Sequence, residues 1–196
     1  MRTVKNEVFK GDYEVKKSKF KVIITQVNSK AEVDGFLSKY SDPKASHNCY
    51  AFVIDDNPRS ESFHNDGEPS GTAGEPLLNL IKKLDLSNTI ILVTRYFGGI
   101  KLGAGPLMRA YNSSANNLLK NCIIEELQPG YEISITFSLS NLRLVDSVLL
   151  KYQIVAQKKF DERANYAFIT TKKEITEELN PFVEINYIIN KFVSQV

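Results

Sequence analysis

The chain has 196 residues, of which 42% are hydrophobic and 24% are charged, and its formal net charge is +2. This composition argues against a disordered chain, and no apolar run approaches the roughly 18 residues that a membrane-spanning helix needs. Two cysteines, Cys49 and Cys122, are too few for a disulfide framework or a zinc site of paired cysteines. The N-terminus lacks the apolar region of a signal peptide, so we expect a cytoplasmic protein.

Strand and helix patterns alternate along the first two thirds of the chain. The segment 88–97, "NTIILVTRYF", is apolar almost throughout, which is typical of a strand buried on both faces. The predicted elements are one or two strands in 13–27, a helix over 30–40 capped by Ser29, a strand over 47–55, a turn over 56–60, a partner strand in "SFHND", a helix from Pro76 to Leu84, the strand 88–97, and a helix from Gly105-Pro106 to about Lys120.

The last third has a different pattern, which begins after "QPG" at 128–130. The predicted elements there are strand 131–139, helix 141–151, strand 152–160, strand 165–171, helix 173–179 and strand 182–193. This βαββαβ order is the ferredoxin-like arrangement. We therefore predict a two-domain α+β protein with domains at 1–127 and 131–196.

Seven of the ten glycines fall within residues 66–109, in two clusters that each lead into a predicted helix. Glycine loses the most backbone freedom on ordering, so such clusters indicate a backbone that closely approaches a ligand or another chain segment. A glycine-rich turn at a helix N-terminus can also bind anions. The candidate anion-binding residues in and beside the clusters are Ser70, Gly71, Thr72, Gly74, Arg95, Tyr96, Gly98, Gly99, Lys101, Gly103, Gly105 and Arg109.

The charges are segregated locally although their total is nearly balanced. No acid lies between Asp85 and Glu125, and an upstream acid-free run contains four closely spaced lysines. These lysines, Lys16, Lys17, Lys19 and Lys21, join the candidate contacts for nucleic acid. Segregation of this kind can produce a basic face, but it is equally compatible with internal pairing, for example of Glu68 with Arg95. Arg109 in the first turn of a helix opposes the helix dipole, so a ligand or an acid such as Asp66 or Glu68 is expected to compensate it.

Catalytic and metal motifs do not fit the sequence well. There is no phosphate-binding P-loop, the dinucleotide fingerprint lacks its last glycine, and Ser70 misses the nucleophile elbow by one position. His47 and His64 lack a close third ligand, so we expect no metal, and we expect no cofactor. Tyr96 and Phe97 enter a glycine loop, where aromatic rings can stack on bases, although strand aromatics more often belong to the core.

Several uncommon strings resemble one protein family. "DGEPSGTAGEP" and "VTRYFGGIKLGAGPLMRAY", preceded by "SKF" at 18–20 and "HNCYAFV" at 47–53, resemble the IMPACT (imprinted and ancient) family, including its bacterial YigZ-type members. The resemblance covers about residues 15–125. It implies an N-terminal α/β domain of the ribosomal-protein and elongation-factor superfold, and a C-terminal ferredoxin-like domain similar to the last domain of elongation factor G.

The resemblance also implies a link to translation. Eukaryotic relatives restrain a starvation-sensing initiation-factor kinase through an additional N-terminal recognition domain, and we do not expect that pathway in this chain. The first hypothesis is a non-enzymatic translation-associated regulator that binds RNA, the ribosome or another nucleic acid, or a protein partner in translation, through a basic glycine-loop face. The alternative is an enzyme or small-molecule binder that uses the glycine loops as an anion pocket, with His47, His64, Asp66 and Glu68 as possible proton carriers. A third hypothesis is an interaction module that docks a partner on the ferredoxin-like sheet.

Overall fold

The computed structural model describes residues 1–55 and 58–194. The chain divides into two compact units, Met1–Glu126 and Leu127–Val196. The first two residues of the turn predicted at 56–60 lie outside the described residues. No helix in the described part of the chain is long and apolar enough to cross a membrane.

The first unit is built on a five-stranded antiparallel sheet. Its strand order is β2-β3-β6-β4-β5, and "SFHND" contributes the predicted partner of β4. The elements of this unit are β1 (Arg2–Val4), β2 (Phe9–Val15), β3 (Ser18–Gln26), α1 (Lys30–Tyr40), β4 (His47–Ile54), β5 (Ser60–His64), α2 (Gly74–Lys83), β6 (Thr89–Tyr96) and α3 (Ala104–Leu119).

Both faces of this sheet are covered by helices. Strand side chains alternate between faces, so Ile91 and Val93 pack in one cluster with α2 and α3, whereas Ile90 and Leu92 pack in another with α1. The expectation that segment 88–97 is buried on both faces is confirmed, because every residue from Thr89 to Arg95 is buried. The sheet therefore has an α2/α3 face and an α1 face.

The cap predicted for α1 is confirmed. Ser29 Oγ accepts a hydrogen bond from the backbone N–H of Glu32 at 3.2 Å, and Glu32 Oε2 accepts one from the backbone N–H of Asn28 at 2.8 Å. This reciprocal arrangement satisfies N–H groups that the first turn of a helix leaves without intrahelical partners.

The second unit has the βαββαβ order. It contains most of β7 (Ile124–Phe137), followed by α4 (Leu142–Lys151), β8 (Gln157–Phe160), β9 (Ala164–Thr170), α5 (Ile175–Leu179) and β10 (Glu184–Ser194). The strand order β10-β7-β9-β8, with both helices on one face, is the ferredoxin-like arrangement. The predicted two-domain α+β fold class is confirmed.

Residues 128–130, where the sequence predicts the boundary between the domains, lie within a strand. β7 runs through them, and Pro129 and Gly130 lie opposite Phe192 and Lys191 of β10. A Cβ on Gly130 would lie 2.7 Å from Val193 Cγ2 and 3.0 Å from the backbone oxygen of Thr170, so a larger residue there would force its neighbours to shift. A proline and a glycine that resemble a turn in the sequence are thus used at a close approach between strands.

Candidate functional site

A buried ion pair joins the first glycine loop, residues 65–73 before α2, to β6, the strand that leads into the second glycine loop at residues 97–103. Arg95 Nη1, at the end of β6, donates a hydrogen bond to Glu68 Oε1 at 2.7 Å. Only 6% of the Arg95 side chain and 3% of the Glu68 side chain are exposed. Of the two uses considered for Arg95, the structure therefore shows internal pairing.

Glu68 is the centre of a larger buried network. Its Oε1 also accepts a hydrogen bond from Tyr111 Oη of α3 at 2.7 Å, and its Oε2 lies 3.8 Å from His47 Nε2 of β4. A buried carboxylate is tolerated when a countercharge and further hydrogen bonds satisfy it, and Glu68 has both. The carboxylate therefore connects β4, β6 and α3 to its own loop.

Proton chemistry is suppressed at two members of this network. Burial raises the pKa of the Cys49 thiol to about 12, and burial raises the pKa of the Tyr111 hydroxyl well above its ordinary value. The thiol donates to the backbone oxygen of Asn65 at 3.0 Å. Both groups are uncharged at neutral pH, so the network offers neither a thiolate nor a phenolate nucleophile.

The position of Arg95 argues against the expectation that it contacts phosphate on an exposed face. Its guanidinium carbon lies 5.6 Å from the ring centroids of both Phe20 and Phe97. Its Nη2 approaches Ser18 Oγ at 3.5 Å, and its Nε has no hydrogen-bond partner among the described residues. An anion could reach this guanidinium only if the Glu68 pair or the Phe97 side chain moved.

The first glycine cluster also uses its polar groups internally. Thr72 Oγ1 donates to the backbone oxygen of Pro69 at 2.6 Å, and the Gly74 N–H donates to Asn65 Oδ1 at 2.8 Å. Ser70 and Gly71 are exposed. The predicted anion role of Thr72 and Gly74 would require these groups to give up their present partners.

The two motif histidines lie in different places. His47 is half-buried beside the network, and its Nδ1 lies 2.7 Å from the backbone oxygen of Asp66. His64 is exposed and stacks on the ring of Tyr50 with a centroid distance of 5.6 Å. The described residues contain no group of three or more His, Cys, Asp or Glu side chains arranged to hold a metal ion.

The second glycine loop packs tightly against the turn between β2 and β3. A Cβ on Gly98 would lie 2.1 Å from the backbone carbon and oxygen of Lys17, a separation that only glycine permits. The Gly98 N–H also donates to Ser18 Oγ at 3.3 Å. Lys16 and Lys17 occupy left-handed conformations, with φ angles of 46° and 65°, as a tight hairpin turn requires.

This contact places exposed cations beside exposed apolar side chains. Lys16, Lys17 and Lys101 are exposed, and no carboxylate of the described residues lies within 4.0 Å of their amino groups. Phe97 and Ile100, in the same loop, are 47% and 44% exposed. We call the surface formed by Lys16, Lys17 and residues 97–101 the basic loop face.

Lys19 and Lys21 lie on β3, next to this surface. Both are exposed on the α1 face of the sheet, opposite Glu14 and Asp12 of β2 in the strand register. The four lysines singled out in the sequence are therefore all at the surface.

Arg109 has surroundings different from those of Arg95. It is exposed and lines a groove of about 590 Å³ between α2 and α3, with Glu75, Met108 and Phe63 among the other lining residues. Its Nη1 lies 3.6 Å from the position of a Cβ on Gly105, near the start of α3. Neither Asp66 nor Glu68 lies within 4.0 Å of it, so the expected compensation by a motif acid is not observed.

The remaining predicted glycine, Gly103, precedes α3 with a φ of 84°.

Sequence reasoning missed the polar partners that complete these arrangements. Tyr111 lies on the buried face of α3, and its hydroxyl donates a hydrogen bond to Glu68 Oε1. Asp42, just after the end of α1, accepts a hydrogen bond from Tyr96 Oη. The spacing of residues along a chain carries no signal for such contacts, because the partners lie on different elements.

Comparison with known proteins identifies the family. The sequence model of the Impact N-terminal domain matches residues 16–119, which is more than half of the chain. The chain belongs to the IMPACT family. IMPACT family member YvyE of Bacillus subtilis is 43% identical over 120 residues, covering 59% of this chain and 55% of that protein. The chain thus matches little more than half of the length of that IMPACT relative.

Other relatives extend the match. IMPACT family member YigZ of Escherichia coli is 30% identical over 140 residues, covering 69% of each protein, which confirms the resemblance to bacterial IMPACT members. The crystal structure of a hypothetical protein superposes with a TM-score of 0.67 and 24% sequence identity, covering 92% of this chain and 89% of that one. It shares the fold of this IMPACT chain.

Proposed function

We propose that the protein is a non-enzymatic, translation-associated factor that binds the ribosome or its RNA through the basic loop face. The association with translation is supported by membership of the IMPACT family, for which the sequence resemblance implies such a link. The observation that carries the binding proposal is the contact of Gly98 with Lys17, which holds two cation-bearing segments together. Exposed lysines on two adjoining segments suit the phosphate groups of RNA, because neutralisation of phosphates by cations supplies much of the affinity for nucleic acid.

The state of two buried groups, the Glu68 carboxylate and the Cys49 thiol, favours binding over catalysis. A general acid or base needs a group that can exchange a proton near neutral pH. The Glu68 carboxylate is occupied by Arg95 and Tyr111, and the Cys49 thiol has a pKa raised to about 12. Glu68, Arg95 and Cys49 thus act as internal connectors, and the lysines around them supply the contacts to the partner.

Ribosome co-sedimentation over a salt series tests this proposal. The informative variant is Lys17→Gln/Lys101→Gln, which removes one cation from each segment of the basic loop face. Lys83→Gln/Lys120→Gln is the matched control, because these exposed lysines lie on α2 and next to the end of α3. Arg95 is unsuitable for this test, because its removal would leave the Glu68 charge buried without its partner.

The expected result is that wild-type protein and the control pellet with ribosomes at low salt, and that both dissociate as salt rises. Each lost phosphate contact reduces the slope of log affinity against log salt by roughly 0.7 to 0.9. The Lys17/Lys101 variant should therefore bind more weakly and depend less on salt. Wild-type protein that stays in the supernatant at low salt, or a control that weakens as much as the variant, would refute the proposal.

A second candidate function is binding of a small anionic ligand in the groove between α2 and α3. It is favoured by one observation: the exposed guanidinium of Arg109 lies in a groove of about 590 Å³ with no described carboxylate within 4.0 Å. This volume is within the range of small-molecule sites. A thermal-shift screen of nucleotides and phosphorylated metabolites tests it, because a ligand that binds only the folded state raises the melting temperature. A hit should disappear in Arg109→Gln, and a screen without hits at millimolar concentrations rejects this candidate.

A further inference from the structure

The α1 face of the sheet carries two tyrosine rings with lysine amino groups over them. Lys21 Nζ lies 5.3 Å from the centroid of the Tyr96 ring. At the end of α1, Lys10 Nζ and Lys39 Nζ lie 5.5 and 5.1 Å from the centroid of the Tyr40 ring. We call these five residues, together with the exposed Lys19 of β3, the lysine–tyrosine face.

Both rings are held in place by neighbours. Tyr96 Oη donates a hydrogen bond to the Asp42 carboxylate, and this bond lowers the pKa of Asp42, so the acceptor stays charged. The Tyr40 ring packs against Phe36 with a centroid distance of 4.9 Å. Rings fixed in this way lose little rotamer freedom when another flat group stacks on them.

The charge of this surface is positive despite three nearby acids. Asp12 and Glu14 project from β2 on the same face, opposite Lys21 and Lys19, and Asp42 accepts the hydrogen bond from Tyr96. Neither Asp12 nor Glu14 has an ion pair within 4.0 Å among the described residues, and the four lysines of the surface outnumber the three carboxylates. The lysines are therefore available to an external anion.

We propose that the lysine–tyrosine face binds single-stranded nucleic acid, with a base stacked on Tyr96, from whose ring the flexible Lys21 side chain moves aside, and with phosphates on the surrounding lysines. Single strands are bound in this way by grooves that combine cations with aromatic rings, because every base has a flat face. A duplex fits less well, since its bases already stack on one another and only its phosphates are available. This inference rests on the proposed function and deepens it by naming the class of partner and a second contact surface.

Fluorescence anisotropy with labelled oligonucleotides of about 12 nucleotides, within the usual site size for such proteins, tests the inference. The probes are single-stranded oligo-uridine RNA, single-stranded oligo-thymidine DNA, and a mixed-sequence duplex of equal length. We expect both single strands to bind more tightly than the duplex. The comparison of RNA with DNA shows whether the sugar contributes to binding.

Variants separate stacking from charge and from damage to the fold. Tyr96→Leu should weaken single-strand binding roughly five- to a hundredfold, the loss typical of one stacked base, whereas Tyr96→Phe should keep the ring and restore most of the affinity. Tyr50→Leu is the matched control, because Tyr50 is a half-buried tyrosine on the same face whose ring already stacks on His64. Lys21→Gln/Lys39→Gln should reduce the salt dependence, and Lys83→Gln/Lys120→Gln should not.

Three outcomes would overturn the inference: wild-type protein that binds no oligonucleotide, a duplex that binds as tightly as the single strands, or a Tyr50→Leu loss as large as that of Tyr96→Leu. If any of these outcomes is found while ribosome co-sedimentation is normal, this inference is rejected and the proposed function stands. Failure of both ribosome and oligonucleotide binding rejects the proposed function as well.

Discussion

Glu68 and Arg95, 27 positions apart in the chain, form a buried ion pair with an N–O distance of 2.7 Å. The exposed pair of Lys82 with Glu61 has the same distance, although 47% and 36% of its side chains are exposed. These two ion pairs have equal length but differ in burial, and burial decides how much each contributes to stability.

Removal of one partner should have very different effects in the two pairs. We expect Glu68→Gln to lower the free energy of unfolding by about 3–5 kcal/mol, because the Arg95 charge stays buried without its partner. Glu61→Gln should lower it by no more than about 1 kcal/mol, as is usual for exposed pairs. Urea denaturation at neutral pH measures both. Equal losses in the two variants would contradict the assignment of Glu68 as the centre of the buried network.

Gly98 and Gly99 should respond differently to alanine. A Cβ on Gly98 would overlap the backbone of Lys17, so Gly98→Ala must displace either the loop or the turn. Gly99 has open space around it and a φ of 82°, so Gly99→Ala should cost only the left-handed strain of roughly 1–2 kcal/mol.

Amide NMR spectra distinguish these two effects. Gly98→Ala should shift the signals of Lys16, Lys17 and Ser18, and Gly99→Ala should leave them close to their wild-type positions. A Gly98→Ala spectrum with an unchanged β2–β3 turn would show that the two segments are not held together.

The sequence predicted what depends on local pattern. The buried strand at 88–97, the cap at Ser29 and the helix start near Gly105-Pro106 follow from periodicity and from helix-end chemistry, and the structure shows each of them within a residue or two. β1, at Arg2–Val4, was missed because three residues carry no usable periodicity. Such a strand is defined by pairing with the distant residues 124–126 of β7.

The sequence predicted where the candidate site lies, but not how its side chains are paired. The glycine clusters indicated the loop that contains Glu68 and the loop that follows Arg95, and the acid-free lysine run indicated the exposed turn beside Gly98. Whether an arginine is buried depends on its three-dimensional neighbours, and therefore the sequence left both uses of Arg95 open. The contacts of Asp42 and Tyr111 had no sequence signal, because their partners come from other elements.

The two cysteines should differ in their reactivity with thiol reagents. Cys49 is fully buried with a pKa raised to about 12, and Cys122 is half-buried with a pKa raised to about 11, both by burial. The thiolate is the reactive form, so both should react slowly at pH 8, Cys122 before Cys49. Pulse labelling with iodoacetamide and mass spectrometry measures the two sites separately. If Cys49 of the folded protein were labelled as fast as Cys122, its burial would be contradicted. In urea, which unfolds the protein, both cysteines should react quickly.

Acid should weaken the hydrogen bond between Tyr96 and Asp42. This bond lowers the pKa of Asp42 in the folded protein. The stability that the group contributes is therefore present above its unfolded pKa and is lost as the pH falls through its folded pKa. Asp42→Asn should be less stable than wild type at neutral pH, and the difference should shrink on acidification.

Urea denaturation at several pH values measures this change. Asp12→Asn provides the control, because Asp12 is an exposed carboxyl on the same face without a described hydrogen-bond partner. A difference between wild type and Asp42→Asn that stays constant with pH would contradict the prediction.

The Glu68 network also constrains the order of folding. Its carboxylate meets Arg95 and Tyr111, which are 27 and 43 positions away, and a carboxylate is costly to bury before its countercharge and donor are in place. Loop 65–73 can therefore close only when α3 docks on the sheet, and the two segments should join the native structure in one kinetic step. The φ-value of a variant in folding kinetics is the fraction of its stability loss that also appears in the folding barrier. Glu68→Gln and Tyr111→Phe should have similar φ-values, because both side chains acquire their contacts on the same side of that barrier.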